Sequence, residues 1–271
     1  MRLEMEVLVS TMNRNDYALL DSMKIDSNAI VINQCDRNSI EEFDYKGHKI
    51  KWVNTKDRGL SKSRNMAVSY ATKDICLICD DDEVLHDNYE KIIIDSYKKV
   101  SKADILVFNI NRIGWNEKEK MFSSINRVNK RKTYSSVHIT FKRKAISKAK
   151  IRFNPLFGAG SKKYLCAEDA LFCIACHKKD LKMYTYPAII ADVYCEQSTW
   201  FNGYNEHYFY DTGAFLAEAY PRLKHVVKWY YPFRCMKITN LSVKQIIRNI
   251  DNGITGYQSK KSFEEYAINE D

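Results

Sequence analysis

Residues 76–85 read CLICDDDEVL, an apolar run that ends in Asp80, Asp81, Asp82 and Glu83. Four adjacent carboxylates repel one another, and seating them beside a core is unfavourable unless something offsets their charge. Hard divalent cations such as Mg²⁺ and Mn²⁺ take oxygen ligands, commonly one or two carboxylates plus the phosphates of a substrate. Three Asp at the end of a strand therefore suit a cation held against a phosphate ester. An acidic first helical turn would account for Glu83 but less well for three consecutive Asp. A second pair, Glu168-Asp169, opens the helical segment EDALFCIACHKK. A carboxylate there can take a proton from a hydroxyl, or it can simply favour the helix N-terminus. Arg64 carries a planar guanidinium that suits a diphosphate or ribose, with an exposed helix arginine as the plain alternative. Cys76-x-x-Cys79 and Cys173-x-x-Cys176 have zinc-site spacing. The first pair lies in an apolar strand, where side chains three apart point to opposite faces, so buried core thiols are expected.

The elements that must position these groups alternate. Strands are expected at 6–10, 29–33, 48–54, 74–79 and 104–113, and helices at 16–24 and 59–71, with a further helix before 104. That order predicts an α/β domain with a largely parallel sheet. Carboxylates at the C-terminal end of a strand then face the crevice where open α/β sheets bind ligands.

The stretch RGLSKSRNMAVSYATKDICLICDDDEVL resembles the signature of family 2 glycosyltransferases, in which a Gly-Leu-Ser-x-x-Arg-Asn helix leads into an Asp-x-Asp strand. LVSTMNRND is similar to that family's first strand and loop. FKRKAISKAKIRFNPLFGAGSKKYLCAEDALFC is similar to its acceptor-side segment. The likeness spans roughly residues 5–200 in the expected order. It implies a GT-A-type α/β domain over 1–200, with a mixed, mainly parallel central sheet flanked by helices. Within it, 1–110 would be the nucleotide-sugar half and 111–200 the acceptor half. A mostly helical, basic-aromatic extension would follow at 201–271.

The resemblance also implies roles. Asp82 would mainly hold Mn²⁺ or Mg²⁺ against a nucleotide diphosphate, Asp80 would sit close by on the metal, its water or the donor ribose, and Asp81 would also lie on the donor side. Asp169, paired with Glu168, would be the base in an inverting transfer without a covalent sugar intermediate. Thr11 and Asn13 would contact base or ribose. The second strand departs from the commoner family ending and reads Asn33-Gln34-Cys35-Asp36, so either Asn33 or Asp36 would read uracil. Arg64 would contact diphosphate or ribose. Ser198, Thr199 and Trp200 would lie near the acceptor, Trp200 on a sugar face or in the core, and His207 would be an extra metal ligand. Gln197-Ser198-Thr199-Trp200 lacks the Arg of membrane-embedded processive relatives, so transfer of one sugar is expected, to a glycan or a polyprenyl-diphosphate-linked acceptor. UDP is the expected carrier, with GDP and dTDP open.

Composition narrows the remaining classes. The chain has 271 residues, 45% of them hydrophobic, and no low-complexity tract or repeat, which excludes disorder and solenoids. No apolar run approaches the ~20 residues of a membrane span. The acidic start does not look like a signal peptide, so an unprocessed cytoplasmic protein is expected. The net charge of +9 is concentrated: residues 112–150 hold twelve Lys or Arg and two Glu. Such a field suits an anionic partner. The tail LKHVVKWYYPFRCMKITNLSVKQIIRNI mixes basic and aromatic residues, as would suit an anionic membrane surface, packing on the catalytic domain or a homodimer contact. A nucleotidyltransferase would want a Gly-rich phosphate loop after the first strand, and STMNRND has no Gly. A nucleic-acid-binding protein would show a recognisable module. None is present, and no nucleic-acid partner is expected.

Overall fold

The computed structural model describes residues 3–114, 120–194 and 203–268. Its first half runs β1 (Met5–Met12), α1 (Ala18–Ser22), β2 (Asn28–Gln34), β3 (Ser39–Tyr45), β4 (His48–Thr55), α2 (Leu60–Tyr70) and β5 (Ile75–Asp80). There follow β6 (Glu83–Leu85), α3 (Tyr89–Lys99), β7 (Ile105–Ile113), β8 (Asn126–Arg127), a 3₁₀ turn at Ser136–His138, β9 (Ile139–Lys142), α4 (Arg143–Ala149), α5 (Glu168–Lys178) and β10 (Met183–Tyr194). The strands form one mixed sheet in the order β3-β4-β2-β1-β5-β9-β7-β10-β6, with β8 beside β10. β4, β2, β1 and β5 are parallel neighbours, as are β7 and β10. β9 joins the two groups, antiparallel to both.

Alternation along the strands sends side chains into two cores, one on each face of the sheet. Val7, Val9, Val31, Trp52, Leu77 and Cys79 pack with α1 and α3. Leu8, Ile30, Ile32, Val53, Cys76 and Ile78 pack with Ala67, Ile146, Phe172 and Cys173 on the other side. Cys76 and Cys79 thus lie on opposite faces, and both are buried free thiols. Among the described residues no three His, Cys, Asp or Glu groups form a metal-ligating cluster.

Two differences from the sequence expectation have simple causes. The helix expected over 16–24 shortens to Ala18–Ser22, because the chain turns away at Lys24 with φ 53°. β3 was not expected, since Ser39–Tyr45 carries Glu41, Glu42 and Asp44 on a largely exposed strand. It is an edge strand, where charge discourages pairing with another chain. Its hairpin to β4 turns at Lys46 and Gly47, both at positive φ, as tight hairpins require.

The C-terminal part is helical, with α6 (Glu206–Ala219), α7 (Lys224–Val227), α8 (Tyr230–Cys235), α9 (Val243–Gln258) and α10 (Phe263–Ala267). It is packed on the α/β part: Tyr210 and Ala214 of α6 share a core with Phe157, Tyr164, Leu171 and Ile174. No described helix is long and apolar enough to cross a membrane. α6 and α9 cross at glycines so closely that a Cβ on Gly253 would stand 1.8 Å from the Tyr210 carbonyl oxygen. Gly253→Ala must therefore push the helices apart. We expect it to lower stability by at least about 1–3 kcal/mol in urea unfolding; an unchanged midpoint would contradict this crossing.

Candidate active site

The parallel strands deliver their C-terminal ends to one edge. Register sets Ser10 of β1 beside Asp80 of β5, Thr11 beside Asn33, and Asn33 beside Asn54. α2 starts above this edge. Gly59, at φ 117°, is the residue before its first turn, and its N–H donates to the Gln34 side-chain oxygen at 2.7 Å. Only a residue tolerant of positive φ fits there, and a Cβ would meet the Gly160 carbonyl at 3.4 Å. Three polar residues of GLSKSRN have an anchor. Ser61 donates to the Phe157 carbonyl, Ser63 to Ser10 Oγ, and the Asn65 amide both donates to and accepts from the Phe153 backbone.

Arg64 is the centre of this arrangement. It is 2% exposed, so it is not an exposed helix arginine. Its Nη2 donates to both oxygens of Asp80 at 2.9 and 3.0 Å and to Ser136 Oγ at 2.7 Å. Its Nη1 donates to Asp169 Oδ1 at 2.7 Å and to Glu168 Oε1 at 3.2 Å. One guanidinium therefore joins the strand-end carboxylates to the helix-start pair. Both terminal nitrogens of Arg64 are thus engaged by protein groups, whereas the sequence expectation gave this residue a diphosphate or ribose contact.

The acidic run divides by role. Asp80 faces Arg64. Burial, against the pull of Arg64, holds its carboxyl above the ordinary range. Asp81 turns toward the first loop, where its Oδ2 accepts from Thr11 Oγ1 at 2.6 Å and Arg14 Nη2 at 3.0 Å. Asp82 is different: no other described residue forms a hydrogen bond or ion pair with its carboxylate. Loss of water on its inner side, then the charges of Asp80 and Asp81, push it up to about 6. Glu83 opens no helix, contrary to the dipole explanation. It lies in β6, 1% exposed, and accepts the Asp80 N–H at 2.6 Å. Burial, with the Asp80 charge adding to it, pushes its carboxyl well up.

Asp169 stands at the start of α5 with two fixed oxygens, Oδ1 on Arg64 and Oδ2 accepting the Ser136 N–H at 2.9 Å. The preceding Ala167 takes φ 81°, a left-handed conformation unusual for a residue with a Cβ. Burial, with Asp169 adding to it and Arg64 opposing, pushes Glu168 up to about 7.

The remaining expected residues fall in different places. Asn13 has φ 53° in the loop after β1 and donates its N–H to the Gln34 carbonyl at 3.1 Å. Asn33 is fully buried, and its amide is used up on the Arg14 backbone and on Asn54. It ties the first loop to β4, whereas the sequence expectation had it or Asp36 read uracil. Asp36 is exposed and pairs with Arg58 at 2.7 Å. Ser198, Thr199 and Trp200 lie outside the described residues.

His207 is not beside the acidic run. It stacks on Phe263 at 4.7 Å and stands 3.6 Å from Asp211 and 3.7 Å from Glu264, within the C-terminal helices. The sequence expectation made it an extra metal ligand, whereas its contacts here are with Phe263, Asp211 and Glu264. Asp211, 2% exposed, accepts the Leu165 N–H at 2.8 Å, tying α6 to the segment that leads into Glu168. Burial pushes its carboxyl up to about 7. A raised carboxyl means the folded chain holds the proton more tightly than the unfolded one, so stability falls as pH rises from about 4 through 7. Asp211→Asn keeps an acceptor for Leu165 without a charge. It should show a smaller drop in melting temperature than wild type between about pH 5 and about pH 8; an equal drop would assign the pH dependence elsewhere.

Sequence reading missed Ser136 and Arg14, and it named Gln34 and Glu83 without giving them a part in the site. Ser136 follows a basic stretch without any motif, and only its place in the fold brings it to Arg64 and Asp169.

A GT-A-like sheet with strand-end carboxylates linked to a helix-start carboxylate defines a glycosyltransferase-type site. The model of the family described as "Glycosyl transferase family 2" matches residues 16–167. The chain belongs to glycosyl transferase family 2 and is a glycosyltransferase. A search of curated proteins finds no match by sequence. Among solved structures the chain is similar in fold to S. aureus TarS 1-349 in complex with UDP-GlcNAc, at 13% identity and TM-score 0.61, covering 96% of this chain and 93% of that one. The same protein in complex with UDP gives 13% identity, TM-score 0.62 and the same coverage of 96% and 93%.

Proposed function

We propose that this enzyme moves one sugar, with inversion, from a nucleotide-diphosphate sugar to a hydroxyl of a glycan or polyprenyl-diphosphate-linked acceptor in surface polysaccharide synthesis. The observation that carries the reading is the contrast between Asp82 and its neighbours. Asp80 and Asp81 are ion-paired with Arg64 and Arg14, whereas the Asp82 carboxylate forms no ion pair with a described residue, and the pull of the Arg112 charge is outweighed by burial and by the charges of Asp80 and Asp81, which raise its proton affinity. A carboxylate without an ion-pair partner just past a strand end fits a divalent cation whose other ligands come from a diphosphate and water. Asp82, with Asp80 behind it, would hold Mn²⁺ or Mg²⁺. When bound, the cation would supply Lewis-acid stabilisation to the departing diphosphate.

This chain's own residues do the rest. Asp169 is held by Arg64 and the Ser136 N–H in one orientation, as a general base requires. It takes the proton of the acceptor hydroxyl as the new oxygen–C1 bond forms and the C1–phosphate oxygen bond breaks. Thr11, Asn13 and Asp36 line the strand ends where the nucleoside would lie. The likeness to a protein held with UDP and UDP-GlcNAc supports UDP as carrier. The cytoplasmic face of the membrane is the place where such donors and lipid-linked acceptors meet.

The direct test is release of nucleotide diphosphate from UDP-, GDP- and dTDP-sugars with Mn²⁺, first as slow hydrolysis and then with candidate acceptors. Release from one nucleotide class, abolished by chelation, is the expected result. Absence of both release and binding for every donor would overturn the reading.

A further inference from the structure

Between Glu218 and Asp251 the chain carries no acidic residue but seven Lys or Arg: Arg222, Lys224, Lys228, Arg234, Lys237, Lys244 and Arg248. The first part of this stretch folds as α7 and α8 with turns on either side, and its two faces differ in an unusual way. Val227, Tyr231 and Cys235, four apart, form the inner face and pack with Phe209, Leu216, Ile246 and Ile250. The opposite face of a soluble amphipathic helix should be polar. Here it presents Val226, Trp229, Tyr230, Phe233 and Met236, at 69%, 52%, 56%, 83% and 54% exposure. Leu223 and Ile238 extend it at 56% and 51%. These are among the most exposed large apolar residues described, and they cluster in one stretch rather than being scattered singly, the pattern that marks an interaction surface.

We propose that this outer face of α7 and α8 docks on an anionic bilayer surface, with Trp229, Tyr230 and Phe233 entering the headgroup region and Arg234, Lys237 and Arg222 facing the lipid charge. The charge decides the occupant. A second copy of the chain seated symmetrically here would set Arg222, Lys224, Arg234 and Lys237 against the same four, and Asp251, the acid that follows this stretch, is already engaged by Lys228. Nucleic acid would satisfy the charge, but it leaves aliphatic Leu223, Val226, Met236 and Ile238 without a partner. An anionic bilayer satisfies both: apolar side chains enter the acyl boundary, and each basic residue near the surface adds attraction. Phe233 alternates with Arg234, and Met236 with Lys237, so apolar and cationic groups reach the same interface.

The proposal gives the enzyme a place beside a lipid-linked acceptor, but its test needs neither donor nor acceptor, so it can fail while the proposed reaction stands, and the reverse. The full chain is floated with vesicles of phosphatidylcholine alone or with added phosphatidylglycerol, at low and high salt. Binding should require phosphatidylglycerol and weaken as salt rises. Arg234→Gln with Lys237→Gln should lower partitioning roughly 10- to 30-fold. Trp229→Ser with Phe233→Ser should abolish it, while circular dichroism and the melting temperature stay as in wild type. Both pairs are exposed, so the variants should fold. A chain that never floats with anionic vesicles would overturn the proposal. So would binding unchanged in the Trp229/Phe233 variant, a dimer in light scattering that this variant dissociates, or retention of single-stranded nucleic acid without vesicle binding.

Discussion

Replacing Arg64 by Met is expected to cost about 3–5 kcal/mol of stability and to abolish sugar transfer. The guanidinium is the shared counter-charge of Asp80, Glu168 and Asp169, and it is almost wholly buried. Removing it leaves three carboxylates facing one another, and burial already holds Asp80 and Glu168 above their ordinary range. Without Arg64 these groups bind protons still more tightly in the folded state. By linkage the deficit must therefore widen as pH rises and shrink as they become protonated. Urea unfolding at about pH 8 should show the larger loss, and at about pH 5 the smaller. Arg64→Lys restores the charge but not the fork, since one ammonium cannot reach both sides as two Nη groups do. It should recover part of the stability and little of the activity. A variant with Met at this position, as stable as wild type at both pH values, would mean that the carboxylates are not held by this arginine.

Asp169→Asn should lower kcat by about 10²–10⁴ with donor binding unchanged. The amide keeps an oxygen that can accept from Ser136 or Arg64, so the local structure should survive, but it cannot take a proton. The informative pair of measurements is kcat against the Kd for UDP. A fall in kcat alone is what a proton acceptor predicts. Equal loss of both, or turnover within about tenfold of wild type, would move the base elsewhere.

The parts of the molecule legible in the sequence are those whose cause is local. Alternating apolar runs predict β1, β2, β4, β5 and β7, and the strand-end position of Asp80–Asp82 follows from them. β3 is hidden because an edge strand needs no apolar face, and β9 because four residues inserted between β5 and β7 leave too short a pattern. The network around Arg64 is not local at all. Its partners Asp80, Ser136, Glu168 and Asp169 lie 16, 72, 104 and 105 residues away. A motif marks Arg64 as notable, yet only the fold shows that it faces inward to carboxylates. Asn33 is the same lesson in reverse. Its strand-end position suggests ligand contact, but Asn54 and the Arg14 backbone saturate its amide. The place of His207 is hidden for a comparable reason, since nothing in sequence spacing reveals that α6 packs with α10.

The measurement closest to the central claim is thermal melting of the wild type and Asp82→Asn with UDP, each with and without Mn²⁺. A ligand that binds only the folded state raises the melting temperature by mass action. The site described here predicts a shift with UDP and Mn²⁺ together, little with either alone, and none in Asp82→Asn. A full shift in that variant, or one for UDP that ignores the metal, would contradict the assignment of Asp82, two residues past the end of β5, to a cation and its diphosphate.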